Sequence, residues 1–318
     1  MQMLEYIFSY EFVNAVLRMS TPLIFAGMAA VIGAKANILC IAYEGIMLFA
    51  ALGGALGSAY SQNIFVGILC GQLCGIIIAA LFAYFVLYLD TKPLLAGIAL
   101  NTLGSGGTVY VVYLLTGMKQ DTSALASLKF PSLNIPLIKD IPILGKLLSG
   151  HNIMAYIALL SVLATWFLIY KTKLGLRIRA VGEEPNAATS VGINVKKIKF
   201  IAMLLSGVLA SFGGMYMSMG YLPYFTTNMI AGRGFIAIAA QNLGRGNPLF
   251  TVIYTIVFGA AGAIGNMAQS FRLPSQFASM VPYVITIIGL IIMGANNIRK
   301  ANNANTLKNA LNKNTMKH

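Results

Sequence analysis

Nine apolar runs dominate the chain, at residues 12–34, 36–60, 64–89, 94–117, 153–170, 199–222, 230–243, 246–268 and 276–294. A hydrocarbon layer about 30 Å thick is crossed by about 20 apolar residues in a helix, so runs of this length constrain the fold more than any other feature. In hydrocarbon every backbone N–H and C=O must find a partner inside the protein, which leaves helices and closed barrels. The runs are continuous rather than alternating, which excludes a barrel. Composition agrees: 58% of the 318 residues are hydrophobic and 9% are charged, with 32 glycines, against roughly 25% charged residues in a soluble domain. A soluble enzyme, a disordered chain and a disulfide scaffold are excluded. The expected fold class is all-α, a polytopic transmembrane helical bundle of about eight to ten segments occupying residues 1–294. The seventh run is too short for a full crossing and predicts a broken or re-entrant helix, tolerated only where protein or a cavity covers it.

The net charge of +14 could signal nucleic acid. Its placement argues for a membrane instead. Residues 171–200 carry Lys171, Lys173, Arg177, Arg179, Lys196, Lys197 and Lys199 against two acids, and residues 295–318 carry five basic residues and no acid. Basic clusters beside apolar runs mark the cytoplasmic side. This puts 171–198, the C-terminus and the turns at Lys35 and Asp90–Lys92 inside, and the N-terminus and the loop 118–152 outside. Pro131, Pro136 and Pro142 predict an ordered lid in that outer loop. The tail 295–318, rich in Asn and Lys, is expected to be disordered. Residues 1–11 hold Glu5 and Glu11 and no basic stretch, so the first apolar segment is expected to be a retained span. Cys40, Cys70 and Cys74 lie in apolar runs and read as reduced, buried thiols.

No phosphate-binding loop, H-E-x-x-H, C-x-x-C or nucleophile elbow occurs, and His151 and His318 lie outside the apolar runs. Catalysis by this chain is not expected, and work against a gradient would need another polypeptide. Three features remain. The first is the loop Gly175 to Ile193. Pro185 at a first helical position, after Glu184 as a possible cap, and Gly192 as a left-handed stop frame a helix Pro185–Val191. Too short to stand alone, it reads either as a docking knob or as a solvated connector; Ala187, Ala188 and Ser190 would allow close approach. The second is Glu44, the one acid inside the runs. A buried acid costs roughly 2.5–3.5 kcal/mol on insertion scales and needs a partner. Arg233 is a candidate partner, and Glu44 reads either as a structural lock or as a substrate contact. The third is a pair of polar, glycine-rich segments: Asn101, Thr102, Ser105 and Thr108, then Gln241, Asn242, Arg245 and Asn247. These fit either a substrate cavity beside a thinned helix or close packing through small residues. The methionines at 203, 215, 217 and 219 read as apolar filler.

Several stretches resemble one family. Thr21-Pro22-Leu23-Ile24-Phe25-Ala26, Ala36-Asn37-Ile38 with Tyr43-Glu44-Gly45-Ile46-Met47-Leu48, and Leu174-Gly175-Leu176-Arg177-Ile178-Arg179-Ala180-Val181-Gly182-Glu183 occur in order. Ala231-Gly232-Arg233-Gly234-Phe235-Ile236-Ala237 with Gly244 and Asn247-Pro248, then Pro282-Tyr283, complete the set. The chain resembles, over about 15–295, a permease subunit of an ABC importer in the branch of branched-chain amino acid, simple-sugar and nucleoside permeases. Within it the chain is most similar to the shorter nucleoside-type subunit. Cys40-Ile41-Ala42 before Tyr43, Gln241-Asn242 and Gly246 depart from the family pattern.

The resemblance implies alternating access in the plasma membrane of a bacterium, driven by cytoplasmic ATPase subunits that carry the ATP and magnesium, with no cofactor on this chain. It implies a second permease subunit, an extracytoplasmic binding protein and a nucleoside or simple sugar as solute, with no nucleic acid as partner. Gly182, Glu183, Glu184, Pro185, Asn186, Ala187, Ala188 and Gly192 become the expected ATPase-docking segment. Glu44, Asn101, Ser105, Arg233, Gln241 and Asn242 are the candidate pathway residues. A branched-chain amino acid permease and an ion-coupled secondary carrier are the alternatives.

Overall fold

A computed structural model of the chain describes residues 10–133, 150–270 and 284. Helices α1 (Tyr10–Lys35), α2 (Tyr43–Ser61), α3 (Ile64–Leu87) and α4 (Pro93–Thr116) come first. A two-stranded antiparallel ribbon, β1 (Ser132–Leu133) with β2 (His151–Asn152), pairs Ser132 with Asn152. Then come α5 (Ile153–Lys171), α6 (Lys173–Glu183), α7 (Pro185–Ser190), α8 (Val195–Tyr216) with a π-helical turn at Met217–Tyr221, α9 (Arg233–Leu243) and α10 (Pro248–Ser270). Six of them, α1, α3, α4, α5, α8 with its π turn, and α10, are long and apolar enough to cross a membrane. The chain is a polytopic helical membrane protein. Run 276–294 (apart from Val284), Pro282-Tyr283 and the tail 295–318 lie outside the described residues, as do Pro136 and Pro142.

The predicted run 36–60 needs correction. Helix α1 stops at Lys35, Asn37 takes a left-handed φ of 53°, and residues 36–42 form a loop that lies back along α1. There Ile38 N–H donates to Gly33 O at 3.0 Å. Alternate residues of the loop pack into the protein, with Ala36 and Ala42 at 0% exposure, while Leu39 stands out at 58%. Apolarity alone could not tell buried loop from helix.

Helix α2 is enclosed on several sides. A Cβ on Gly45 would lie 2.6 Å from Leu100 O of α4, and one on Gly53 2.7 Å from Cys74 Sγ of α3. Its other side meets α8, where Gly214 lies against Met47 O. Close approach of backbones is the association mode open to helices in lipid, where no hydrophobic force drives them together. The α3–α8 pair runs antiparallel, with Met219 filling the notch at Gly67 and Met215 the notch at Gly71. The methionines are filler, as expected.

Residues 222–247 run from one end of the molecule to the other as an irregular stretch followed by a short helix. After the π turn the chain is tied to the loop after α4: Ser127 N–H donates to Pro223 O at 2.7 Å, and Thr122 N–H to Phe225 O at 2.9 Å. It then turns through Ala231 (φ 48°) and Gly232 (φ 81°) into α9. The 11 residues of α9 span about 16 Å, half a hydrocarbon core. Helix α9 ends beside the last residue of α1, since a Cβ on Gly246 would lie 3.7 Å from Lys35 Nζ. The expected broken helix is this segment. Lys35, α6, α7 and the end of α9 therefore share one end of the molecule, and residues 120–130 and 222–227 the other.

Candidate functional site

The break before α9 is held by Glu44. Its Oε1 accepts from Gly232 N–H at 2.7 Å and its Oε2 from Gly234 N–H at 2.8 Å. The first turn of a helix leaves its N–H groups unpartnered and carries a partial positive charge. A buried acid on α2 meets that need from another element. Arg233, the partner proposed from sequence, sits between the two donating glycines. Its guanidinium donates to Met229 O and Ile230 O at 3.1 and 2.9 Å. The carboxyl group is thus seated on backbone amides. Gly234 is required here: a Cβ on it would lie 2.5 Å from Glu44 N.

Asn101 performs a second bridge. Its Oδ1 accepts from Gly45 N–H at 2.8 Å, and its Nδ2 donates to Ile41 O at 2.9 Å. It fastens α4 to the start of α2 and to the loop before it. Tyr43 adds a third bridge. Its hydroxyl donates to Ala29 O at 3.1 Å and shares a 2.9 Å hydrogen bond with Ser206 Oγ. Sequence reasoning missed Tyr43 and Ser206, because a tyrosine or serine in an apolar run carries no marker of its distant partner. Ser105 stands apart on the exposed face of α4, bonded to Thr102 O.

Between the end of α1, the loop 36–42 and α9 lies a cavity of about 180 Å³. Ala30, Ala34, Ile38 and Ile238 give it apolar walls, and Asn37, Cys40, Tyr43, Gln241 and Asn242 its polar groups. Gln241 is 9% exposed. The structure so brings Asn101, Gln241 and Asn242 to the loop 36–42 and seats Glu44 just beyond it, while the Arg233 guanidinium turns toward Met19 of α1 and Ser105 is left out.

The basic end carries the second candidate. Helix α7 is six residues long, with Pro185 at its start. Glu184 makes no side-chain cap. Gly192 closes the helix at φ 81°, and Ile193 N–H donates to Ala188 O at 3.0 Å. Ala188 faces inward at 4% exposure, which corrects its place in a docking face. The outward face is Asn186, Ala187, Thr189, Ser190 and Val191, the last 74% exposed. Glu183 and Glu184 are exposed beside it. Gly182 does other work: it lies directly against Lys35 O, so α6 is braced on the end of α1. A side chain there would push the two apart.

Residues 12–290 match the family described as "Branched-chain amino acid transport system / permease component". The chain is 31% identical to a nucleoside ABC transporter permease protein, NupC, of Lactococcus lactis subsp. cremoris, covering 90% of this chain and 93% of that one. It is 31% identical to a guanosine ABC transporter permease protein, NupQ, of Bacillus subtilis, covering 91% and 94%. A putative glucose ABC transporter permease protein, TsgC13, of Haloferax volcanii is also 31% identical, over 84% of this chain and 80% of that one. Among solved structures, a chain of PsaBC from Streptococcus pneumoniae in complex with Fab superposes with a TM-score of 0.53 at 11% identity, covering 91% and 94%. That likeness concerns the fold alone.

Proposed function

The chain belongs to the permease-component family of branched-chain amino acid type transport systems, and from that premise we propose that it is the shorter permease subunit of an ATP-driven importer of nucleosides. The ABC permease relatives support this, as nucleoside and guanosine permeases match it over nearly their whole length. The observation that carries the mechanism is α7: a small-residue helix exposed at the basic end and braced through α6 and Gly182 on α1. A cytoplasmic ATPase closing on α7 would push on the end of α1. The loop 36–42 continues directly from that end to Glu44 and the start of α9. Work done by the partner thus has a short covalent route to the broken crossing. The side holding α7 and the C-terminus is cytoplasmic in this reading, by the placement of basic residues. A second permease subunit and an extracytoplasmic binding protein complete the assembly.

One feature favours a neutral solute over an amino acid. A helix N-terminus is the usual seat for a substrate carboxylate, and the first-turn amides of α9 are already taken by Glu44. The test is purification of the tagged chain in mild detergent, followed by uptake of labelled guanosine, glucose and leucine into ATP-loaded proteoliposomes. The expected result is a co-purifying ATPase, a second permease, and ATP-dependent guanosine uptake. Isolation of the chain alone, where a control importer stays intact, overturns the reading.

A further inference from the structure

We propose that the cavity bounded by Asn37, Cys40, Gln241 and Asn242 is a seat for the planar base of the transported nucleoside, within this one subunit. The inference rests on the nucleoside-permease reading above. Four observations carry it. First, Gln241 is nine-tenths buried, and its side-chain amide has no hydrogen-bond partner among the described residues. Asn37 and Asn242 line the same cavity from exposed positions. The Gln241 amide is a polar group on the cavity wall that a ligand entering the cavity would meet. Second, another polar group of the wall is already committed: the Tyr43 hydroxyl is spent on Ala29 and Ser206.

Third, the size is selective. About 180 Å³ is below the roughly 300–1,000 Å³ of a site that encloses a whole drug-sized ligand, and equals about six waters at ~30 Å³ each. One ring system fits. Fourth, the wall chemistry separates base from sugar. A carboxamide offers a donor and an acceptor side by side, the pattern it uses against a base edge. The apolar faces of Ala30, Ala34, Ile38 and Ile238 suit a flat π face and would strip water from sugar hydroxyls without replacing it. Among the described residues no acidic or basic side chain lines the cavity, so a neutral ring is favoured.

Cys40, on the cavity wall, supplies the probe. With Cys70→Ala and Cys74→Ala, Cys40 is the one thiol of this chain. The assembled transporter in proteoliposomes is treated with methyl methanethiosulfonate, and Cys40 modification is followed by mass spectrometry. Guanosine and guanine should each slow modification at least threefold, and D-ribose and D-glucose should not. Gln241→Met, similar in size and apolar, should abolish that protection and raise the KM for guanosine about three- to tenfold, the loss of one neutral hydrogen bond. Equal modification with and without guanine, protection by the sugars, or an unchanged guanosine KM in Gln241→Met overturns the proposal. Should Gln241→Met fail to assemble, protection in the parent transporter still decides. Guanosine uptake without base protection rejects the seat and keeps the permease reading. Base protection without uptake does the reverse.

Discussion

At the residue scale, Glu44 is the group whose role changes most between sequence and structure. The sequence offers an acid in an apolar run and an arginine far along the chain, and charge pairing is the natural guess. The structure seats the carboxyl group on the amides of Gly232 and Gly234. Glu44→Gln would turn an amide NH₂ toward one backbone N–H, leaving a donor unmet at a cost of about 1–3 kcal/mol. The expected outcome is a lower melting temperature in detergent and weaker uptake. An unchanged melting temperature would show that the amides find other partners. Gly234→Ala tests the same contact from the other side. Its Cβ would sit 2.5 Å from Glu44 N, and overpacking of this kind costs about 1–3 kcal/mol. Native stability of that variant would mean that α9 is not seated so closely on α2.

At the element scale, α7 separates two alanines that are neighbours in sequence and opposite in environment. Ala187 is exposed and Ala188 is buried. Ala187→Trp is expected to keep the melting temperature of the purified chain while reducing ATPase retention and uptake. Ala188→Trp is expected to destabilise the chain itself. Thermal scans of the isolated subunit beside pull-down of the ATPase resolve the two; equal behaviour of both variants would refute the assigned face. Gly192→Ala addresses the end of the helix. Open space surrounds Gly192, so only its φ of 81° resists a side chain, costing roughly 1–2 kcal/mol. Gly182 and Gly192 look alike in the motif, yet one is needed for contact with Lys35 O and the other for backbone conformation.

At the scale of the whole molecule, the exposed apolar residues lie on the outer helices. On α3, Phe65 near one end and Ile77 near the middle are 77% and 56% exposed. If this face meets lipid, a lysine at the helix centre costs about 2.5–3.5 kcal/mol, whereas one near the end can reach the interface. Ile77→Lys should lower the membrane-integrated fraction in a glycosylation-mapping assay, and Phe65→Lys should not. Equal tolerance of the two would place the face against another subunit.

The sequence by itself determined the class of the fold, because the length and continuity of apolar runs follow from the thickness and dryness of a bilayer. It also located the short helix between Pro185 and Gly192, since proline at a start and glycine at a stop act through local backbone sterics. The broken crossing showed as a run too short for the membrane. What only the tertiary structure decided are the long-range pairings: Glu44 with the α9 amides, Asn101 with Gly45 and Ile41, Tyr43 with Ser206, and Gly182 with Lys35. It also decided that residues 36–42 are a loop packed against α1 and that Ala188 points inward. Apolarity records that a residue leaves water. It does not record which neighbour, 56 to 190 residues away, completes its hydrogen bonds once it has.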